Sequence, residues 1–168
     1  MYLLLGALIL LAFLTDARSS LIPNRLTLAG VLAGLIFHLF SGGLQGLVYS
    51  LAGLCAGFIV LLVLYGLGAL GAGDVKLFAA IGAISGVPLT LYSTMYSILY
   101  AGCIGICILL WKRQLVRCAR RVTGIVYSFI LLKDIRAFAA VKREESIRFP
   151  FMYAVVPGVI TACYYLPQ

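Results

Sequence analysis

Residues 44–83 read LQGLVYSLAGLCAGFIVLLVLYGLGALGAGDVKLFAAIGA, and this stretch decides the fold. Its first part, residues 44–70, contains no charged side chain and is long enough to cross a bilayer, for which a helix needs roughly 17 to 25 apolar residues. Asp74 and Lys76 follow in a glycine-rich segment, and then the apolar sequence resumes. This pattern predicts a membrane-spanning helix, a short polar turn and a second membrane helix.

The rest of the chain has the same apolar character. Of its 168 residues, 64% are hydrophobic and 11% are charged, which excludes an ordinary soluble domain. Apolar segments separated by polar turns predict an all-α, polytopic membrane protein with about six transmembrane helices. We expect one integral membrane domain over residues 1–168, whose first segment is an uncleaved signal anchor. The predicted spans are residues 2–15, 26–40, 44–70, 77–87, 89–111 and 149–166.

Most of the positive charge lies in one segment. Ten of the thirteen Lys and Arg residues fall in residues 112–148, and basic loops of membrane proteins lie mainly in the cytoplasm. Within this segment, residues 122–132 are apolar but too short to cross, so we expect an interfacial amphipathic helix there. The net charge of +8 would also suit nucleic-acid binding. Anionic lipid is the partner that a basic membrane loop favours, and no nucleic-acid partner is predicted.

The positions of the other basic residues orient the helices. Arg18 and Arg25 place the first loop in the cytoplasm, and Lys76 does the same for the third loop. The N-terminus then faces outward in a multi-pass protein of the cell inner membrane, and residues 41–45 and 85–90 form short external turns. In this topology Asp16 and Asp74 both lie at the cytoplasmic boundary of the membrane.

Asp16 and Asp74 are candidates for chemistry because acidic residues are rare in this chain. There are five Asp and Glu residues, and the other three lie in the basic segment. Two carboxyl groups that share a site do not both ionise easily, so one keeps a proton while the other is charged. The charged member can take a proton from an attacking water, and the protonated member can hydrogen-bond the oxygen of a peptide carbonyl group.

Each aspartate also has a purely structural interpretation. Asp74 can cap the helix that follows Gly71 and Gly73. The same glycines can instead serve a site, because they permit positive φ angles and the close approach of a substrate strand. Asp16 can be a loop carboxylate paired with a nearby arginine. The residues alone leave both interpretations open.

Three segments resemble the type IV prepilin peptidase family. Residues 71–83, GAGDVKLFAAIGA, are similar to the segment that carries its Gly-x-Gly-Asp signature. Asp16 with residues 21–27, LIPNRLT, is similar to the segment with its other catalytic aspartate, and residues 149–158, FPFMYAVVPG, are similar to its last-span motif. The resemblance implies a membrane aspartic endopeptidase in which Asp16 and Asp74 are catalytic, with no metal and no cofactor.

The resemblance also implies a class of substrate. Family members cleave a short basic leader from type IV prepilins or pseudopilins, commonly after a Gly and next to a hydrophobic helix. Longer members carry an N-terminal cytoplasmic segment with paired Cys-x-x-Cys motifs and also methylate the new N-terminus, whereas here the first span starts at Tyr2. We expect a short form, similar to the peptidases of Flp or Tad-type pili, with archaeal preflagellin peptidases as a nearby alternative. N-methyltransferase activity stays open.

Further residues are expected to shape the site or to bind substrate. Lys76 can favour the charged form of Asp74, or it can act only as a cytoplasmic anchor. Asn24 can orient the first loop, or it can simply begin the second helix. The full set is Gly71, Gly73, Lys76, Asn24 and Pro150, the last of which belongs to the last-span motif.

No metal site is predicted, and two other functions fit the sequence. The five cysteines are scattered without a Cys-x-x-Cys pair, and His38 is expected to form a buried hydrogen bond rather than to bind a ligand. An intramembrane acid pair also suits a small ion or proton-coupled carrier or channel, although transporter sites lie near the midplane. A non-catalytic membrane protein of pilus assembly or secretion is the third interpretation. The sequence does not define the oligomeric state.

Overall fold

All regular structure in the described part of the chain is helical. The computed structural model describes residues 1–19, 22–68, 70–111 and 151–166. This confirms the all-α prediction for those residues, whereas the basic segment and its predicted interfacial helix lie outside them. The helices are α1, Tyr2–Ser19; α2, Asn24–Gly66; α3, Ala72–Trp111; and α4, Met152–Tyr165.

Two helices of the described residues are long and apolar enough to cross a membrane. They are α2, with 43 residues, and the Ala72–Ile108 part of α3, with 37 residues. Helix α4 is apolar but has only 14 residues. These lengths fit a membrane protein. The six spans remain a prediction, because the described residues form four helices.

Helix α2 folds back on itself at Gly43. This residue has φ 57° and ψ −139°, a left-handed conformation that favours glycine. A Cβ added at Gly46 would collide with the carbonyl group of His38, although eight residues of continuous helix would separate the two positions by about 12 Å. The two halves, residues 24–42 and 44–66, therefore pack against each other, and the break falls within the turn predicted at residues 41–45.

Helix α3 folds back in the same way at Gly86, which has φ 75° and ψ 179°. The carbonyl group of Phe78 and the methyl group of Thr90 both lie where a Cβ would extend from Gly57. A continuous helix would separate those two residues by about 18 Å. Pro88 follows in the first turn after the break, where its missing N–H is not needed.

The first half of α3, residues 72–85, occupies the centre of the described fold. Residues 77–86 are all buried, and both halves of α2 pack against them. A Cβ at Gly53 would collide with the carbonyl group of Gly82, so the two backbones meet without a side chain between them. Such close approach of small residues is a common way for helices to associate in membranes. All of these contacts lie within one compact unit, which contains Met1–Ala101 and α4.

The break at Gly86 frees the last carbonyl groups of the preceding half-helix, and side chains of α2 bind them. We call the side chains that do so, those of His38, Tyr49 and Ser50, the carbonyl cap. Because a carbonyl oxygen only accepts, Nε2 of the histidine carries the proton. This contact fits the hydrogen-bonding role expected of His38. The pairs are Ser50 Oγ to Ala83 at 2.6 Å, His38 Nε2 to Ile84 at 2.8 Å and the Tyr49 hydroxyl to Ser85 at 3.3 Å.

Candidate active site

Asp16 lies inside helix α1, on the face that packs against the protein. The buried positions of this helix are Leu5, Leu8, Ala12 and Asp16, and their spacing of three or four residues puts them on one side. Sequence analysis ended the first apolar span at Thr15 and placed Asp16 at the boundary of the membrane. The helix itself continues through Asp16 and ends at Ser19. The aspartate is therefore held by a helix rather than by a loop.

The Asp16 carboxylate is almost fully buried and faces the N-terminus of α4. Its side chain is 7% exposed. The backbone N–H of Met152, the first residue of α4, donates a hydrogen bond to it, and the cap residue Phe151 provides no side-chain hydrogen bond. The free N–H groups and the dipole at a helix N-terminus both favour a carboxylate there. Oδ2 of Asp16 has no hydrogen-bond partner among the described residues.

The structural interpretation of Asp16 requires an ion pair with a nearby arginine, whereas the partner in the structure is the backbone N–H of Met152. Arg18 and Arg25 are exposed, and in the described part of the chain neither forms an ion pair with Asp16. A buried carboxylate with no cationic partner among the described residues is costly and is uncommon away from functional sites. Its burial therefore favours a role in chemistry.

Asp74 lies in the first turn of α3 and caps it. Its Oδ2 accepts a hydrogen bond of 3.1 Å from the backbone N–H of Gly71, and its own N–H donates to the Gly71 carbonyl group at 3.2 Å. An acidic side chain that reaches back from the third helical position to the cap is half of a capping box. The structural interpretation of Asp74 is thus realised. It leaves capacity for other partners, because a carboxylate has about four acceptor positions.

The two glycines before Asp74 act through space rather than through unusual backbone angles. The positive φ in this loop belongs to Gly68, at 77°, and not to Gly71 or Gly73. A Cβ at Gly71 would lie 3.3 Å from Oδ2 of Asp74, and one at Gly73 would lie 3.4 Å from the Ile22 side chain. The first contact is tight, so a larger residue at position 71 would press on the carboxylate.

Asp16 and Asp74 lie within electrostatic range of each other. The charge of Asp16, near the end of α1, acts electrostatically on the carboxyl group of Asp74, at the start of α3. Each carboxylate accepts one hydrogen bond from a backbone N–H at a helix N-terminus, Asp16 from α4 and Asp74 from α3. Each also keeps acceptor capacity. When two carboxyl groups influence each other electrostatically, the ionisation of one disfavours the ionisation of the other.

Lys76 is directed toward Asn24 rather than toward Asp74. Its ammonium group donates a hydrogen bond of 2.9 Å to Oδ1 of Asn24. Asn24 is the first residue of α2, preceded by the cap residue Pro23. The lysine therefore joins the start of α2 to the start of α3, and both of the residues named from the sequence contribute to one contact at the edge of the site. Pro150, the last of the predicted site-shaping residues, lies outside the described residues.

Sequence analysis did not identify the contacts that α4 makes beside the aspartates. The ring of Tyr153 packs edge-on against Phe13, with 5.3 Å between centroids and an angle of 75°. The ring of Phe151 lies 6.5 Å from that of Phe78. The only signal available in the sequence is spacing. Phe13 lies three residues before Asp16 and Phe78 lies four residues after Asp74, so each ring shares a helix face with an aspartate.

Comparison with known proteins gives a family and two relatives. The profile of the type IV leader peptidase family matches residues 3–110, a region that contains both aspartates. A prepilin leader peptidase/N-methyltransferase of Pectobacterium carotovorum subsp. carotovorum is 43% identical over 90 residues, which cover 46% of this chain and 32% of that protein. A protein with the same description from Klebsiella pneumoniae is 42% identical over 92 residues, which cover 48% of this chain and 40% of that protein.

The matches are partial in length. The chain spans between about a third and two fifths of the length of the curated relatives that it matches. No solved structure gives a significant match.

Proposed function

Because the chain belongs to the type IV leader peptidase family, we propose that it is an aspartic endopeptidase that removes leaders from prepilins or pseudopilins. The observation that carries this proposal is that Asp16 and Asp74, two of only five acidic residues, lie within electrostatic range of each other and each accept a hydrogen bond at a helix N-terminus. The relatives are described as prepilin leader peptidases, which supports the same substrate class. The proposal covers proteolysis and does not extend to N-methylation.

In the proposed reaction the two aspartates divide the acid and base roles. The ionised carboxylate takes a proton from a water molecule as the water oxygen attacks the scissile carbonyl carbon. The protonated carboxyl group hydrogen-bonds the carbonyl oxygen and later gives its proton to the leaving amine. The two groups titrate as a pair, so the pH dependence of cleavage belongs to both. The backbone N–H of Gly71 donates a hydrogen bond to Asp74, and that of Met152 donates one to Asp16. These bonds orient the two carboxylates.

We place this site at the cytoplasmic face of the cell inner membrane. The folds at Gly43 and Gly86 divide α2 and α3 into four half-helices, which together with α1 and α4 would give six spans. In that arrangement the end of α1 and the start of α3 share one membrane face, with the N-terminus on the opposite side. Arg18, Arg25 and Lys76 support the cytoplasmic assignment, and the basic segment would bind anionic lipid there.

The proposed substrate has a basic leader followed by a hydrophobic helix, as in Flp-type prepilins. A half-exposed Asp74 near the membrane face suits such a substrate, because its helix can stay in lipid while the extended leader junction enters from water. The exposed segment around Gly71 leaves room for that junction beside the carboxylate.

The experiment that tests the proposal is processing of a co-expressed prepilin. Asp16→Asn and Asp74→Asn should each abolish the shortening of the prepilin on a gel while the protein still inserts into the membrane. Asp134→Asn is a matched control, since it makes the same chemical change in the basic segment, and it should process normally. Normal processing by both site variants would refute the proposal.

Two outcomes would favour the other interpretations of the sequence. Proton or cation flux in liposomes that depends on Asp74, without any cleavage, would indicate a carrier. Capture of the prepilin by the wild-type chain and by both variants, without cleavage by any of them, would indicate an assembly protein.

A further inference from the structure

The start of α4 contacts the helix of each aspartate, and it does so with adjacent residues. We call Phe151, Met152 and Tyr153 the α4 start. Met152 donates its backbone N–H to Asp16, and the ring of Tyr153 packs against Phe13, one helical turn before Asp16. The neighbouring Phe151 ring packs against Phe78, one turn after Asp74. One short segment therefore contacts Asp16 directly and the helix of Asp74 through Phe78.

Two of these contacts lie in the buried core. Phe78, in the first half of α3, is fully buried and Phe151 is 8% exposed, so both rings are surrounded by the core. The carboxylate of Asp16 is buried, and its Oδ2 has no hydrogen-bond partner among the described residues, so the Met152 N–H is the donor that fixes its orientation.

We propose that the α4 start is a positioning element that sets the separation and orientation of Asp16 relative to Asp74. Its residues act through the aspartates, with Phe151 and Tyr153 fixing the helices and Met152 fixing the carboxylate. As a statement about catalysis this rests on the proposed function, whereas as a statement about geometry it does not. Aspartates that share one water must be held closely, and a displacement of about 1 Å of reacting groups can lower a rate about 100-fold.

Tyr153 gives the sharpest variant, because its ring is 50% exposed and its loss does not open the core. Tyr153→Leu removes the edge-on contact with Phe13, and Tyr153→Phe keeps it. Tyr165→Leu is the matched control, since Tyr165 is 67% exposed at the other end of the same helix and stacks on Tyr96 at 6.2 Å, away from both aspartates.

The first measurement is geometric and needs no peptidase activity. Asp16→Cys and Asp74→Cys are combined in a chain whose five native cysteines are replaced by serine, and the rate of oxidative cross-linking is followed in membranes. Adding Tyr153→Leu should slow the cross-link about tenfold. Adding Tyr153→Phe or Tyr165→Leu should leave it unchanged. Equal rates with Tyr153→Leu and Tyr165→Leu would overturn the positioning proposal.

The second measurement uses the aspartates intact. Tyr153→Leu should lower kcat for a prepilin peptide about 10- to 100-fold with little change in KM or in the melting temperature, and Tyr153→Phe should restore it. A rise in KM alone would overturn the proposal, since it would indicate a substrate contact. If no variant and no wild-type chain cleaves, the proposed function fails, while the cross-linking result still decides whether the α4 start sets the geometry.

Discussion

The polar groups at the two ends of the first half of α3 differ in how fully they are hydrogen-bonded. At the end near Gly86, the freed backbone carbonyl groups are bound by the carbonyl cap of His38, Tyr49 and Ser50. At the end that carries Asp74, the carboxylate is half-exposed and accepts one hydrogen bond from Gly71. Asp16 beside it buries an oxygen that has no partner among the described residues.

The difference separates polar groups that stabilise the fold from polar groups that remain available for a reaction. A protein normally pairs its buried polar atoms, so a carboxylate oxygen left without a partner indicates a site that binds something else. Ser93 and Ser97 also bury hydroxyl groups that have no partner in the described part of the chain, but a neutral hydroxyl costs less to bury than a carboxylate. We therefore expect changes at the Asp74 end to affect cleavage and changes at the Gly86 end to affect stability.

The largest expected effect is on catalysis, at the Asp74 end. Asp74→Asn should lower kcat/KM for a prepilin peptide about 10²- to 10⁴-fold, the usual contribution of a general acid or base, which corresponds to about 3 to 5 kcal/mol of activation free energy. The melting temperature in detergent should change little, because the amide oxygen can still accept the hydrogen bond from Gly71. A loss of activity smaller than tenfold would contradict the distinction between the two ends.

The largest expected effect on stability is at Gly86. Gly86→Ala forces a side chain into a conformation with φ 75° and ψ 179°, and its Cβ would occupy the position of the Tyr49 ring. We expect the free energy of unfolding to fall by about 3 kcal/mol, with normal cleavage by the molecules that stay folded. Gly68→Ala is the control, because its φ is also positive, at 77°, but its Cβ would meet open space. Equal losses from both would show that the ring contact contributes nothing.

A smaller effect is expected from the carbonyl cap. Ser50→Ala removes a buried donor from the Ala83 carbonyl group and should lower the free energy of unfolding by about 1 to 2 kcal/mol. Ser41→Ala removes an exposed serine that donates to its own helix at Phe37, and it should have almost no effect. Chemical denaturation of both variants in detergent measures the difference. A fall in kcat for folded Ser50→Ala would show that the two ends are not independent.

The smallest effect is expected at the exposed edge of the site. Lys76→Ala breaks a hydrogen bond to Asn24 that is surrounded by solvent, so it should lower the free energy of unfolding by only about 0.5 kcal/mol. A double-mutant cycle with Asn24→Ala isolates that contact. If Lys76→Ala instead lowered kcat as much as Asp74→Asn, the lysine would have a role in catalysis like that of the aspartates.

Local sequence features were sufficient to predict the helical class and the positions of both breaks. Gly43 lies within the turn predicted at residues 41–45, and Gly86 begins the interruption that Pro88 marks. Glycine and proline fix backbone conformation locally, so their effect can be inferred without the rest of the fold. The end of α1 was predicted less well, because side-chain polarity at Asp16 does not stop backbone hydrogen bonding.

The sequence indicated which carboxylates to consider but not what surrounds them. Asp16 and Asp74 were found because acids are scarce and because each lies at the end of an apolar run. The hydrogen bond from Met152 and the pairing of Lys76 with Asn24 could not be inferred, because both join residues from different helices. The rotation of one apolar helix against another depends on long-range packing, which no local periodicity specifies.

The hydrogen bond between Met152 and Asp16 connects the first and the last of the described helices, and this has a consequence for biosynthesis. The ribosome releases α1 long before it makes α4. Until α4 arrives, the carboxylate on α1 lacks its backbone donor and must stay hydrated, since an unpaired charge near hydrocarbon is costly. A nascent chain that has not yet made α4 therefore carries both aspartates but lacks the backbone donor of Asp16.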